Sequence, residues 1–438
     1  MFLIVINCCL ITISDYIYIY IISITIASSG IASQLIPGGR TAHSRFGIPL
    51  DCHEDSTCNI MQGSHLAGLI QHTKLIIWDE APMCNRYCFE ALDKSLHDIM
   101  RFINSSSEEI PFGGKVVVFG GDYRQDIVMA SLSLSHLWSS FKVLSLSKNM
   151  RLNNAKSTED AQEISEFSKW TLAVGDGSIG EVIKDGLFWI EIPMDLLSKY
   201  DCDPVQAISN SIYPDLSLNS YDYKYFTDRA ILAPTFDEVD DANNYLLDQI
   251  AGDEKIYLSS NNICENSHSS SDASETYTTE FLNTITAYGM PSHEIRLKVG
   301  SPIMLIRNIG LCNGTKLIVW CLSDHVIESI LMAGKCAGEK VLIPRMSIIP
   351  SDMKLPFRFQ RRQFPITASF AMTINKSQGQ SLSTVGIFLR RDLFTHGQLY
   401  VAISRVRSRF GLKILVSHKD DGQSYATYNC VYKRYFKV

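Results

Sequence analysis

Residues 74–83 of the chain read Lys-Leu-Ile-Ile-Trp-Asp-Glu-Ala-Pro-Met, an apolar run that ends in two acids. Such a run predicts a buried parallel strand that carries carboxylates to the C-terminal edge of an open α/β sheet, where these sheets bind ligands. This is the layout of a Walker B element, in which Asp79 would hold Mg²⁺ and Glu80 would orient and deprotonate the attacking water. The alternative is a core strand that ends in two solvated acids.

A second apolar run, residues 115–122, reads KVVVFGGD and again ends in Gly and an acid. Between the two runs, Tyr87–Ile103 shows the helical spacing of apolar residues. Strand, helix and strand together predict a βαβ unit with a composite site at one edge of its sheet.

The rest of the chain predicts a second α/β unit. Strands are expected there at residues 229–235 and 385–389, with a helix after the first of them, whereas a strand expected at 144–151 still belongs to the first unit. Short β-rich runs at 317–322, 326–331 and 340–343 predict a small antiparallel barrel inserted in this unit. Residues 259–276, rich in Ser, Asn and Glu, predict a loop.

The charge of the chain is distributed unevenly along its length. The net charge is -6, but residues 291–438 contain 22 Lys and Arg against 8 Asp and Glu, whereas residues 151–290 contain 8 against 25. A basic third beside an acidic middle is expected where one face follows a phosphate backbone. The alternative is a basic segment that is merely solvated.

The twelve cysteines form no regular framework, and many lie inside apolar runs. This pattern predicts reduced thiols in an intracellular compartment. The Cys and His residues between Cys52 and Cys88 raise the alternative of a zinc site, which the missing CxxC pairs disfavour.

Residues 1–27 are almost entirely apolar and long enough to span a bilayer. They have no flanking Lys or Arg and are rich in Ile, Tyr and Thr, which favours a strand from about Ser23. The preceding residues, 1–22, are then expected to lie outside the fold, as from a wrongly assigned start. A membrane anchor is the alternative.

Two further stretches have the composition of ligand-contacting loops. Residues 38–46, GGRTAHSRF, combine a Gly-rich turn with hydroxyl, basic and aromatic side chains that suit phosphates and a stacked base. Residues 397–407 predict a helix that presents Arg405, which could stabilise charge on a transferring phosphoryl group. A surface arginine paired with an acid is the alternative for Arg405 alone.

Together these stretches resemble the superfamily-one DNA helicases of the petite-integration-frequency (Pif) type, and in particular the branch carried by Helitron transposons. The resemblance extends from about Ala27 to the C-terminus. The matching motifs are ASSGIA (27–32) and GGRTAHSRF (38–46) as early DNA-contacting motifs, WDEAPM (78–83) as Walker B, FGGD (119–122) as the start of motif III, TINKSQGQSL (373–382) as motif V and YVAISRV (400–406) as motif VI.

The resemblance implies an ATP-dependent DNA helicase that moves 5′ to 3′ on single-stranded DNA and meets duplex junctions, in the nucleus and without a membrane. It implies Mg²⁺ and ATP as cofactors. The implied nucleotide-site residues are Asp79 for Mg²⁺, Glu80 as general base, Gln125 as γ-phosphate sensor, Gly379 at the nucleotide and Arg405 at the γ-phosphate. The implied DNA-contacting or coupling residues are Thr41, His43, Lys376, Ser377 and Gln378.

The resemblance also implies a fold of two RecA-like P-loop-NTPase domains, the first truncated at its N-terminus, with a small β-barrel inserted in the second. The expected boundaries are 23–151 for the first domain, 152–226 for an acidic connection, 227–316 and 365–438 for the second domain, and 317–364 for the barrel.

Two features depart from the family. The chain contains no GxxxxGK[ST] motif, the P-loop that cradles phosphates, and the closest fragments, Gly113–Lys115 and Gly338–Lys340, lack its spacing. Impaired ATP binding, and a coding P-loop upstream of Ser23, are therefore expected. Gln125 fits motif III locally, but Arg124–Val128 also fits a later family segment, so a deletion that fused the two would remove its sensor role.

Overall fold

The structure, a computed structural model, describes residues 2–6, 22–103, 107, 109–122, 132–145, 157–184, 186–200, 203–264, 277–287, 289–334, 336–350, 357–418, 422–423 and 425–432. The chain divides into two compact units. Unit 1 comprises residues 1–190, 393–401 and 428–438, and unit 2 comprises residues 191–392 and 402–427. The acidic region 152–226 is thus shared between the units.

Unit 1 is built on a six-stranded sheet in the order β3-β2-β4-β5-β1-β6. The strands up to residue 191 are Phe2–Ile6 (β1), Ser23–Ala27 (β2), Arg40–Thr41 (β3), Leu75–Asp79 (β4), Val116–Gly121 (β5), Lys142–Ser145 (β6), Glu181–Lys184 (β7) and Leu187–Glu191 (β8). The helices of this part are Gly30–Leu35 (α1), Ala42–Phe46 (α2), His65–His72 (α3), Arg86–Met100 (α4) and Thr158–Gly175 (α5).

The predicted βαβ unit is confirmed. Strand β4 pairs in parallel with β5 and with β2, and α4 connects β4 to β5. The fully buried Trp78 of β4 packs against Phe89 of α4, with ring centroids 4.6 Å apart, and against Phe119 of β5. This apolar core fixes β4 in the middle of the sheet, so its last residues reach the C-terminal edge.

The expectation that residues 1–22 lie outside the fold is wrong for Phe2–Ile6. This strand lies between β5 and β6 and pairs antiparallel with both. An apolar β-rich run can satisfy both neighbours with backbone hydrogen bonds, because pairing in the middle of a sheet needs no particular side chain. Among the described residues, no helix has the length and apolar character needed to cross a bilayer.

Unit 2 contains a second, largely parallel sheet in the order β20-β9-β21-β22-β23 and a five-stranded antiparallel sheet in the order β16-β15-β14-β13-β19. The strands after residue 191 are Arg229–Ala233 (β9), Lys255–Leu258 (β10), Ser260–Cys264 (β11), Glu294–Leu297 (β12), Pro302–Leu305 (β13), Lys316–Leu322 (β14), Val326–Leu331 (β15), Lys340–Pro344 (β16), Met346–Ile348 (β17), Arg358–Gln363 (β18), Ile366–Ala368 (β19), Ala371–Thr373 (β20), Thr384–Leu389 (β21), Leu412–His418 (β22), Gly422–Gln423 (β23) and Ala426–Cys430 (β24). The helices are Pro204–Ile212 (α6), Leu216–Asn219 (α7), Tyr223–Thr227 (α8), Phe236–Gln249 (α9), Thr279–Thr284 (α10) and Gln398–Ser404 (α11).

The three predicted β-rich runs are confirmed as β14, β15 and β16, which pair antiparallel in sequence order. Their sheet also takes in β13 and β19, which lie outside the predicted boundaries 317–364. Closure of this sheet into a barrel stays a prediction. The loop expected at 259–276 is wrong for Ser260–Cys264, which pairs with β18, and residues 265–276 lie outside the described residues.

Lys316 of β14 carries a buried ammonium group that has no hydrogen-bond partner within the described residues. Burial lowers the pKa of Lys316 to about 8, against the attraction of Asp228. Between about pH 8 and 10.5 the unfolded chain therefore binds more protons at this site than the folded chain, so the free energy of unfolding rises with pH in that window.

We expect Lys316→Met to raise the free energy of unfolding at pH 7 by about 1–3 kcal/mol, because it removes a buried, unpaired charge. The difference in the free energy of unfolding between the variant and the wild type should shrink as the pH rises through 8 to 10, since the wild-type lysine then loses its proton. Urea unfolding at several pH values measures this. Lys340→Met, which removes an exposed lysine of the neighbouring β16, is the control, and a pH-independent difference for Lys316→Met would contradict the prediction.

Candidate functional site

The C-terminal edge of the unit 1 sheet brings three of the sequence motifs into one row. Thr41 of β3 and Asp79 of β4 both lie opposite Ala27 of β2, one on each side. The backbone N–H of Ser28 donates to the Asp79 carbonyl at 3.0 Å and continues the row past the end of the strands. The predicted nucleotide residue Asp79 and the predicted DNA residue Thr41 therefore lie on the same edge, one on each side of β2.

Asp79 and Glu80 sit in a turn of unusual backbone geometry. Glu80 has φ 51° and ψ 38°, a left-handed conformation that side chains other than Gly seldom adopt. The Asp79 carboxylate accepts the Glu80 N–H at 3.0 Å, and a 3₁₀ helix, Ala81–Met83, follows directly. Such strain persists only when the surrounding structure enforces it, and it is concentrated at functional sites.

The strained turn is enforced by close packing against β5. A Cβ atom added to Gly121 would lie 2.2 Å from Cδ of Pro82, so only glycine fits at this point. The absence of a side chain at residue 121 lets the Glu80–Pro82 backbone lie directly on the neighbouring strand.

We expect Gly121→Ala to lower the free energy of unfolding by about 1–3 kcal/mol, because its methyl group must displace Pro82. Gly68→Ala, inside α3 with open space around its Cβ position, is the matched control and should stabilise by about 0.5–1 kcal/mol. Urea or thermal unfolding compares the two variants. Equal free energies of unfolding for Gly121→Ala and Gly68→Ala would show that the turn accommodates the methyl group without loss of stability.

Asp122 is a site residue that the sequence analysis noted only as the end of a strand. It follows β5, the parallel neighbour of β4, and its carboxylate accepts a hydrogen bond from the Tyr400 hydroxyl within unit 1. The two residues are separated by 278 positions in the chain, so no local pattern indicates the contact.

The donors on this edge fit the magnesium ion that the resemblance implies. Mg²⁺ retains several waters and is usually bound by one or two carboxylates together with substrate phosphates. Among the described residues no group of three His, Cys, Asp or Glu side chains could hold a metal ion by itself. Asp79, with Asp122 on the adjacent strand, offers the small carboxylate set that a phosphate-bound Mg²⁺ needs.

The second early motif folds as a short helix at the same edge. Thr41 is the N-cap of α2, and its hydroxyl accepts the Ser44 N–H at 3.3 Å. His43 is half-buried, with Nε2 3.9 Å from Sγ of Cys88. The hydrogen bond with the Cys84 thiol, and then burial, raise the pKa of Cys88, while the contact with His43 opposes them. For the zinc alternative in this region, the described residues contain no group of three His, Cys, Asp or Glu side chains that could hold a metal ion.

Motif V lies at the C-terminal edge of the parallel sheet of unit 2. Lys376 and Ser377 belong to a 3₁₀ helix, Ile374–Ser377, that directly follows β20. Ser377 is fully buried, and its hydroxyl donates to the Ile374 carbonyl at 2.6 Å, so it supports the turn. Gln378 ends this helix, and Gly379 continues with φ 79°, a conformation that favours glycine.

Lys376 faces a cavity and not open solvent. Its ammonium nitrogen lies 5.7 Å from the ring centroid of Phe236, the first residue of α9. Desolvation lowers the pKa of Lys376, and Asp240 partly opposes this effect. Burial therefore disfavours the charged form of Lys376, and the carboxylate of Asp240 favours it.

Arg405 is only 8% exposed and lies at the end of α11. Its guanidinium donates to the Gln380 carbonyl at 3.4 Å and to the Ser404 hydroxyl at 2.7 Å. Its own carbonyl accepts the Leu382 N–H at 2.8 Å, which ties motif VI to motif V. The structure therefore brings Arg405 next to the Gly379–Gln380 turn, and the exposed Arg407, paired with Asp228 at 3.6 Å, is the surface arginine.

Comparisons with known proteins show what the chain is similar to. Residues 11–185 match the family model described as PIF1-like helicase, and residues 280–322 match that described as DNA helicase Pif1, 2B domain. The ATP-dependent DNA helicase PIF1 of Danio rerio is 27% identical over 398 residues, which are 89% of this chain and 53% of that relative. The chain is thus similar to the Pif1 helicases. It spans about half the length of the curated relatives it matches.

Solved structures show that the chain shares its fold with Pif1 helicases. The crystal structure of Pif1 helicase from Bacteroides with ADP-AlF3 and single-stranded DNA matches with a TM-score of 0.59 and 20% identity, over 92% of this chain and 83% of that one. A structure described as DNA unwinding at forked double-stranded DNA by two coordinating Pif1 helicases matches with a TM-score of 0.59 and 21% identity. The match covers 91% of this chain and 82% of that one. The predicted α/β fold of RecA-like domains is therefore confirmed.

Gln125, the predicted sensor of motif III, lies outside the described residues, so its role stays a prediction. The assignments to Asp79, Glu80, Gly379, Arg405 and the DNA-contacting residues also remain predictions, now with defined places at the two sheet edges.

Proposed function

We propose that this chain carries the motor core of an ATP-dependent DNA helicase that moves 5′ to 3′ along single-stranded DNA toward a duplex junction. The observation that carries the proposal is the row at the unit 1 sheet edge, where the predicted DNA residue Thr41 and the predicted Mg²⁺ ligand Asp79 flank the same residue of β2. A DNA-contacting loop and a nucleotide site that share one sheet edge can exchange small displacements directly. Mg²⁺, when bound, would neutralise charge on the phosphates of ATP.

Each residue has a role that its place supports. Asp79 would hold the ion, and the strained backbone of Glu80 would aim its carboxylate at the attacking water. Arg405, buried beside the Gly379–Gln380 turn, would contact the γ-phosphate. Lys376 and Gln378 would follow the DNA strand, while Ser377 would act through the turn that it stabilises.

The test is ATP hydrolysis by the purified chain, with and without single-stranded DNA. Hydrolysis that DNA stimulates would support the motor, and displacement of a labelled strand from forks with a 5′ or a 3′ single-stranded tail would test the polarity. No hydrolysis with DNA binding intact, both in this chain and after a segment that contains GxxxxGK[ST] is added at its N-terminus, would contradict it.

A second candidate is a catalytically inactive protein that binds single-stranded DNA. It is favoured by the missing GxxxxGK[ST], because that loop supplies the phosphate cradle, the phosphate-binding Lys and an Mg²⁺ ligand. It predicts DNA binding that weakens steeply with salt and does not respond to ATP. Tighter binding on addition of ATP would contradict it.

The resemblance further supports a nuclear location and a place in the Helitron-like branch of the family. A fluorescent fusion of the full chain observed in cells would test the location. Repair, telomere maintenance and transposition are all compatible with such a helicase.

A further inference from the structure

A cavity of about 340 Å³ lies within unit 2, between the first turns of α9, the segment after α10 and the strands β13, β19 and β20. Its volume is at the small end of the range for ligand sites in proteins, which begins at about 300 Å³. It therefore admits one flat group of the size of a nucleobase and excludes a duplex.

The walls of the cavity combine an apolar floor with one exposed aromatic ring. The floor contains the buried side chains of Val239, Met304 and Met372. Phe236 lies at the rim and is 54% exposed, although it is a large apolar side chain. An aromatic face beside a slot of this size is the arrangement in which single-stranded nucleic acids stack their bases.

Two sets of buried hydrogen bonds fix the cavity walls in place. Arg361, only 1% exposed, donates to the carbonyls of Leu282 and Pro291, both at 3.0 Å, and so holds the segment after α10. The Asn243 side chain bonds both the N–H and the carbonyl of Ala371, at 2.8 and 3.3 Å, and fastens α9 to β20. The cavity is therefore preformed, which lowers the entropic cost of binding.

Two acidic and two basic side chains line the cavity, and one of the basic ones, Arg361, already donates to the carbonyls of Leu282 and Pro291. This arrangement suits a nucleobase better than a phosphate. Asp237 and Asp240, in the first turns of α9, line the cavity and would repel a phosphate group. A carboxylate readily accepts hydrogen bonds from the amino group of cytosine or adenine. Lys376, on the same cavity, can donate to the ring nitrogen beside that amino group. Thymine presents a carbonyl in place of the amino group and fits this pair less well.

We propose that this cavity receives one unpaired nucleobase of the bound strand, stacked on Phe236, and that it prefers adenine and cytosine to thymine. The inference rests on the proposed function, because it assumes that the chain binds single-stranded DNA. It adds a base-contacting subsite to a strand that is otherwise held by its backbone.

The test is fluorescence anisotropy with labelled homopolymers of dA, dC and dT, each about 12 nucleotides long. Phe236→Ala should weaken the binding of dA and dC about tenfold, because it removes one stacking contact. Phe236→Tyr should retain wild-type affinity. Asp240→Asn should reduce the preference for dA and dC over dT while dT binding changes little. Phe410→Ala removes another exposed ring of unit 2, outside the cavity, and is the matched control.

A second measurement does not depend on overall affinity. A dA strand with 2-aminopurine at successive positions should show one position whose fluorescence is quenched on binding to the wild type and to Phe236→Tyr, but not to Phe236→Ala. Wild-type affinity of Phe236→Ala for dA, or equal affinity of the wild type for dT and dA, would overturn the inference and leave the proposed function standing. Failure of the wild type to bind any of the strands would contradict the proposed function itself. If the cavity binds a peptide instead of a nucleobase, Phe236→Ala should bind dA with wild-type affinity.

Discussion

Replacing Glu80 by glutamine is expected to lower the rate of ATP hydrolysis at least a hundredfold while it leaves ATP affinity nearly unchanged. A general base contributes roughly 10²–10⁴-fold to the rate, and the amide of glutamine cannot take the proton of the attacking water. Glutamine has the size of glutamate, and Asp79 next to it keeps its carboxylate. The left-handed backbone at residue 80 costs the two side chains about the same, so the turn should persist.

The measurement uses the chain extended at its N-terminus by a segment that contains GxxxxGK[ST], because the 438 residues contain none. Glu109→Gln, a change of the same kind at an exposed residue of unit 1, is the matched control and should hydrolyse ATP at the wild-type rate. ATP binding is followed separately with a fluorescent analogue. Unchanged hydrolysis in Glu80→Gln would refute the base assignment, and loss of binding would indicate that residue 80 acts on the nucleotide and not on the water.

The sequence predicts strands β2, β4, β5, β9 and β21 well because their apolar runs are continuous. The strand predicted at 144–151 is found at Lys142–Ser145 instead, and residues 146–151 lie outside the described residues. Strand β2 begins at Ser23 as expected, and β4, β9 and β21 lie within two residues of their predicted ends. A parallel strand buried on both faces reads as an uninterrupted apolar run, and this pattern depends little on what surrounds it. The order of motifs at the strand ends then follows from the parallel pairing alone.

Features that depend on distant contacts could not be predicted in this way. The contact of Tyr400 with Asp122 joins residues that are 278 positions apart in the chain. The cavity beside Phe236 exists only because α9, β20 and the segment after α10 meet. Phe236 itself opens a helix and shows no local sign of exposure. The strand Phe2–Ile6 was expected to lie outside the fold, because an apolar β-rich run does not by itself choose the strands with which it pairs.

The left-handed backbone at Glu80 is another feature that depends on distant contacts. A glutamate in this conformation has no signature in the sequence, because local preference alone would place a Gly or Asn there. Tertiary packing of Pro82 on Gly121 overrides that preference. The sequence thus predicts which residues carry the chemistry, and the packing determines the backbone from which they project.

Arg405→Lys is expected to lower ATP hydrolysis about a thousandfold, in the same P-loop-bearing form of the chain. An arginine at a transferring phosphoryl group contributes roughly 10³–10⁵-fold to the rate, and lysine has neither the planar fork nor the reach to serve the Gln380 carbonyl, the Ser404 hydroxyl and a phosphate together. The positive charge is retained, so nucleotide affinity should fall far less than the rate does.

Arg407→Lys is the matched control, because Arg407 lies two residues further along, is exposed, and pairs with Asp228 across 3.6 Å. A surface ion pair of this kind contributes at most about 1 kcal/mol, so this variant should be nearly as stable and as active as the wild type. Single-turnover hydrolysis together with thermal unfolding separates chemistry from folding. Equal losses of activity in the two variants would assign the effect to the basic segment as a whole. A loss confined to Arg405→Lys, with unfolding unchanged, would place that guanidinium at the reacting phosphate.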